Sequence, residues 1–215
     1  AVGLGTEDER EFEACGSPKS QRGGRTDEAI EVMKLLWSQD NVTFHGKYHT
    51  LNDVTIRPKV VQKDLPPVWI GGRSEAAIRR TARVGDGWLV SQATPDEVAV
   101  GVSKIKALAE ENGNDIEDDH FGPLFSFFIA DTAEEAVKQA APYMLRRRAD
   151  VDYAEFSAFG TPDRVKELME RYIDAGAPKF VARPACAPEL MMEQLELLGK
   201  EVVPQYHGKK EASVA

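Results

Sequence analysis

Short apolar runs alternate along this chain with segments whose apolar residues recur at three- and four-residue spacing. Val68-Trp69-Ile70, Trp88-Leu89-Val90, the run from Pro123 to Ala130 and the run from Lys179 to Arg183 read as short buried strands. Between them lie helical patterns. One runs from about Thr26 to Trp37, with Ile30, Met33, Leu36 and Trp37 on one face and Thr26 as its cap. The next runs from about Ser74 to Val84, with Ala76, Ala77, Ile78, Thr81 and Ala82 facing inward. Thr94-Pro95-Asp96-Glu97 is a strong helix start, followed by Val98, Val102, Ile105 and Leu108. Thr132 opens a helix carrying Ala136, Val137, Ala140 and Ala141, and Gly160-Thr161-Pro162-Asp163 precedes another with Val165, Leu168, Met169 and Tyr172. A last helix is predicted from Pro188 to Val203, with Leu190, Met191, Leu195 and Leu198 inside. Strand and helix thus alternate about four or five times, which predicts an α/β fold with a parallel sheet and helices outside.

The remaining stretches are less regular. Ala1 to Gly5 reads as the end of a strand that begins abruptly, so residues are expected to precede it. Residues 7–24 read as a loop or short helix anchored by Phe12 and Cys15, and 54–61 as an extended excursion broken by Pro58. Phe44 to His49 resembles a small hairpin turning at Gly46. Residues 146–158 carry no clear pattern. No internal boundary stands out. The expected organisation is one domain over 1–206 and a polar tail over 207–215.

Bulk properties narrow the function classes. The chain has 215 residues, 42% of them hydrophobic and 29% charged, as in a globular domain with a real core. A net charge of -9 argues against a nucleic-acid partner or an anionic membrane surface. The one basic run, Arg146-Arg147-Arg148, reads as a solvated face or helix end. Cys15 and Cys186 are the only cysteines, which suits a reducing, cytoplasmic setting. No stretch approaches the roughly 18 apolar residues of a membrane span, and no signal peptide is expected.

The clearest candidate chemistry is Gly71-Gly72-Arg73-Ser74. A strand, a Gly-Gly turn and a helix N-terminus together make an anion site, because free N–H groups of the first turn and the helix dipole both favour negative charge. Arg73 adds a charge-assisted donor for a phosphate. The plainer reading is that the two glycines only turn the chain. His45 and His49 flank a hairpin turn, but no ligand-spaced Cys or acid accompanies them, so no metal is expected.

A set of motifs in order resembles one family, the bacterial luciferase-like flavin or deazaflavin oxidoreductases. They are Gly3-Leu4-Gly5 with Glu11-Phe12-Glu13; Arg25 to Ile30 through Leu36-Trp37; Phe44 to Tyr48; Pro66 to Gly72; Ala82 to Trp88; and Gly160-Thr161-Pro162. The resemblance runs from the first residue to about Pro204. It implies a TIM (β/α)₈ barrel with its active site at the C-terminal ends of the strands. Only about the last five βα units have counterparts here, which implies an incomplete barrel, a truncated chain, or closure with another copy as a homo-oligomer.

The resemblance also implies roles. Cofactor phosphate maps onto Gly71, Gly72, Arg73 and Ser74, with backbone at Gly5 nearby. Trp88 is placed under an isoalloxazine-type ring, the alternative being a core aromatic. Arg183 faces the substrate mouth, the alternative being a surface salt bridge. The implied cofactor is FMN or coenzyme F-420, and the implied partner a small-molecule substrate. The implied activity is monooxygenation with reduced FMN and O₂, or hydride transfer with coenzyme F-420. The Trp-Ile-Gly-Gly and Gly-Asp-Gly-Trp patterns resemble the deazaflavin branch more, with Arg73, Arg79 and Arg25 as candidates for a polyanionic tail. The catalytic residues stay unknown, because the family draws them largely from early strands. Two rivals remain: a non-catalytic phosphate-binding or assembly subunit of the same fold, and an unrelated barrel enzyme that binds a sugar phosphate at the same helix.

Overall fold

In a computed structural model of the chain, residues 8–62, 65–144 and 148–206 are described. The strand end expected at 1–5, Gly5 with it, the first two arginines of the basic run and the polar tail lie outside the described residues. The chain forms two compact units, one made of residues 1–89 and 104–117, the other of 90–103 and 118–215. No linker separates them: the division passes through a strand and through a helix.

The first unit holds helices α1 (Glu9–Ala14) and α2 (Arg22–Ser38), hairpin strands β1 (Val42–His45) and β2 (Thr50–Val54), strand β3 (Trp69–Gly71), and helix α3 (Glu75–Val84). It also holds most of strand β4 (Gly87–Ser91) and the later part of helix α4 (Pro95–Asn112). β3 and β4 pair in parallel, with Trp69 opposite Gly87 and Gly71 opposite Leu89. Ile30, Val68 and Ile70 form a buried cluster, with Trp37 and Val84 packed on it.

Helix α2 starts at Arg22, before the Thr26 cap expected from sequence. Its first turn contains two glycines, poor helix formers that tertiary contact explains. A Cβ at Gly24 would stand 2.8 Å from the Tyr48 ring. Close approach of the hairpin therefore outweighs the roughly 1 kcal/mol helix penalty of glycine. In α3 the expected inward Ala76 is exposed, and Arg80 is buried instead, its Nε 2.7 Å from the Asp27 carboxylate on α2.

The second unit is built on strand β5 (Phe121–Ile129). It pairs in parallel with β6 (Ser157–Gly160) and with β7 (Val181–Pro184). Ser126 lies opposite Ser157 on one side and Arg183 on the other. Helices α5 (Ala133–Ala140), α6 (Pro162–Asp174) and α7 (Met191–Leu197) complete it. Strand β6 has no counterpart in the sequence reading. It is four residues, all buried, with no polar alternation, and it sits directly against a capping pattern that reads as a helix start.

The last helix runs as predicted from Pro188, but as a chain of 3₁₀, α and π turns through Gln205. Its inward face differs from the expectation. Met191 and Leu195 are exposed, and the buried α7 residue is Gln194. The reason is backbone accounting. The Gln194 side chain donates to the Ile129 carbonyl at 3.0 Å and accepts the Ile129 N–H at 2.7 Å, completing the end of β5 as a neighbouring strand would. Among the described residues no helix is long and apolar enough to cross a membrane.

The hairpin is held to α2 by one carboxylate. Glu28 accepts backbone N–H bonds from Lys47 (2.6 Å), Tyr48 (2.8 Å) and His49 (3.1 Å) and lies 3.3 Å from His49 Nδ1. Desolvation acts to raise its pKa, but the N–H bonds from Tyr48, Lys47 and His49 together outweigh it and lower the pKa below the ordinary glutamate value. A carboxylate with a depressed folded-state pKa stabilises fully above its unfolded pKa and loses that contribution as pH falls through the folded value. Protection factors at residues 47–49, exchange measured relative to the intrinsic rate at the same pH, are therefore expected to fall on acidification below the ordinary glutamate range. Glu28→Gln is expected to show fast exchange at those amides already at neutral pH and to lack the acid-dependent step.

Candidate functional site

Gly71 ends β3, and the chain turns at Gly72 with φ +105°, a conformation that residues with a Cβ rarely adopt. A Cβ there would also stand 3.3 Å from that of Ala77. Ser74 caps α3: its backbone is extended, and its hydroxyl accepts the Ala77 N–H at 3.2 Å. The N–H groups of Glu75 and Ala76 have no acceptor among the described residues, as in a helix first turn open to an anion. Arg73 is exposed and has no ion-pair partner among the described residues. Glu75, the one acid in that turn, is bound by Lys104. Its hydrogen bond from Lys104 lowers its pKa, and the lysine offsets a charge that would oppose an anion. Gly71, Gly72, Arg73 and Ser74 thus form one turn that ends at a helix start with two open N–H groups.

Trp88 lies within the core at 1% exposure, and its indole N–H donates to the Gly72 carbonyl at 2.8 Å. It supports the loop from beneath. Asp86 closes the base of the same strand pair. It accepts the Val68 N–H at 2.7 Å and donates its own N–H to the Val68 carbonyl at 2.9 Å. Asn114, which sequence reasoning did not single out, donates to the carbonyls of Ala82 and Gly85 at 3.0 Å and satisfies the C-terminal end of α3. Of the other cations considered for a polyanionic tail, Arg79 is exposed, whereas Arg25 stacks on the Tyr48 ring at 5.3 Å.

The second unit contains a cavity of about 310 Å³. Ser91, Ser126 and Ser157 line it together with Leu124, Phe125, Met144, Val151, Tyr153 and Phe156, and its polar end is formed by Gln92, Arg148 and Asp152. Gln92 has φ +53°, unusual for a residue with a side chain. Arg148, expected on a solvated face, instead has a side chain only 2% exposed. Its Nη1 donates to the Gln92 carbonyl (3.0 Å) and to Glu97 (2.6 Å), and its Nε donates to Asp150 (3.0 Å). Hydrogen bonds to Asp150 and Glu97, in that order, raise its pKa above the ordinary arginine value, so it stays charged. Glu97 also accepts the Thr94 N–H while Thr94 accepts the Glu97 N–H, the reciprocal capping of α4 that the Thr-Pro-Asp-Glu pattern predicts. No local signal marks Arg148: its partners stand 56 and 51 positions away.

Arg183 is half-buried. Its Nη2 donates to the Tyr143 carbonyl at 2.7 Å, and it forms no ion pair among the described residues, so the surface salt bridge considered from sequence is not what holds it. It is the ladder neighbour of Ser126 but does not itself line the cavity.

Comparison with known proteins bears on the family and the fold. Residues 1–151 match the family profile described as luciferase-like monooxygenase. The FMNH(2)-dependent dimethylsulfone monooxygenase of Pseudomonas putida is 36% identical over 130 residues, covering 59% of this chain and 35% of that protein. The F420-dependent glucose-6-phosphate dehydrogenase of Microbacterium testaceum is 28% identical over 210 residues, covering 86% and 61%. Among solved structures, the monooxygenase RslO1 from Streptomyces bottropensis superposes with a TM-score of 0.76 at 20% identity, covering 95% of this chain and 67% of that one. The chain therefore spans about one third to two thirds of the length of these proteins. The α/β fold is that of the luciferase-like barrels.

Replacing Gly72 by alanine is expected to lower stability by about 1–3 kcal/mol through the positive φ. Trp88→Phe is expected to cost about 0.5–1.5 kcal/mol through the lost indole hydrogen bond. Urea unfolding of the purified variants measures both.

Proposed function

Since the chain belongs to the luciferase-like monooxygenase family, we propose that it carries the phosphate-binding part of a flavin- or deazaflavin-dependent oxidoreductase. The carrying observation is the Gly71–Ser74 turn, in which a positive-φ glycine, a capped α3 N-terminus with two open N–H groups and an Arg73 that has no ion-pair partner among the described residues converge. These features fit a phosphate ester, the group that FMN and coenzyme F-420 share. Either cofactor, when bound, supplies the redox chemistry.

The residues of this chain hold and orient the cofactor. The open amides of α3 and the Arg73 guanidinium bind phosphate. Trp88 sets the height of the loop by engaging the Gly72 carbonyl, and Lys104 keeps Glu75 from repelling the anion. The first relative named above uses FMNH(2) and the second F420, so each name supports one branch of the same reading.

Titration of the purified chain with FMN and separately with coenzyme F-420, followed by fluorescence, tests the reading. Saturable binding of one cofactor is expected. Arg73→Glu is expected to weaken it tenfold or more, in line with losing a charge-assisted hydrogen bond of about 1.5–3 kcal/mol. Absence of binding of either cofactor by the folded chain would overturn the reading in favour of a non-catalytic subunit of the same fold.

A further inference from the structure

We draw no further inference here: the strongest candidate, the apolar surface patch of the second unit that Met191, Met192 and Leu195 on α7 form together with the exposed Val181 of β7, carries nothing, because nothing in the structure shows what covers it.

Discussion

The hydrogen bond from the Trp88 indole to the Gly72 carbonyl is the constraint on which the Gly71–Ser74 turn depends. A chain that leaves a parallel strand through a positive-φ residue takes that residue's carbonyl off the ladder, and a side-chain donor in place of the ladder contributes about 0.5–1.5 kcal/mol. Trp88 supplies that donor from within the neighbouring strand. Its large ring is buried beside the β3–β4 ladder, while its one donor reaches the turn. Asp86 does the corresponding work at the other end of the strand pair, exchanging two hydrogen bonds with Val68. The Trp-Ile-Gly-Gly and Gly-Asp-Gly-Trp patterns are therefore one device. The Gly-Asp-Gly-Trp segment supplies polar partners to the backbone of Val68 and Gly72 at the two ends of β3.

The second unit settles its polar groups by a similar economy. Gln194 completes the end of β5 with a side-chain amide in place of a strand. Arg148 brings two carboxylates and a strained backbone carbonyl together at the end of β4. Burying an arginine without partners would be expensive, and breaking such a cluster by removing one member leaves a charge unmatched. A guanidinium so enclosed is a structural element. Its charge is spent inside the protein, on Glu97, Asp150 and the Gln92 carbonyl.

Much of the fold was legible because it rests on local rules. Runs such as Val68-Trp69-Ile70 and Phe125 to Ile129 are too apolar and too short for anything but buried strands, and the Thr94-Pro95-Asp96-Glu97 and Thr132 caps open helices where expected. The Gly71–Ser74 turn was legible for the same reason. Its chemistry lies in consecutive backbone groups, which a strand–glycine–cap–helix order places without help from the rest of the chain.

What escaped sequence reasoning depends on partners far along the chain. Strand β6 is four buried residues that become a strand only because β5 offers its edge. Helix α2 extends back through two glycines only because Tyr48 packs against one of them. Arg148 reads as part of a solvated basic run until Glu97 and Gln92 are brought to it. The sequence by itself determined the alternation of elements, the capping and the Gly71–Ser74 turn, since these follow from nearest-neighbour chemistry. The tertiary structure alone decided which charges are buried and where a cavity opens, because desolvation and pairing depend on groups that only the fold brings together.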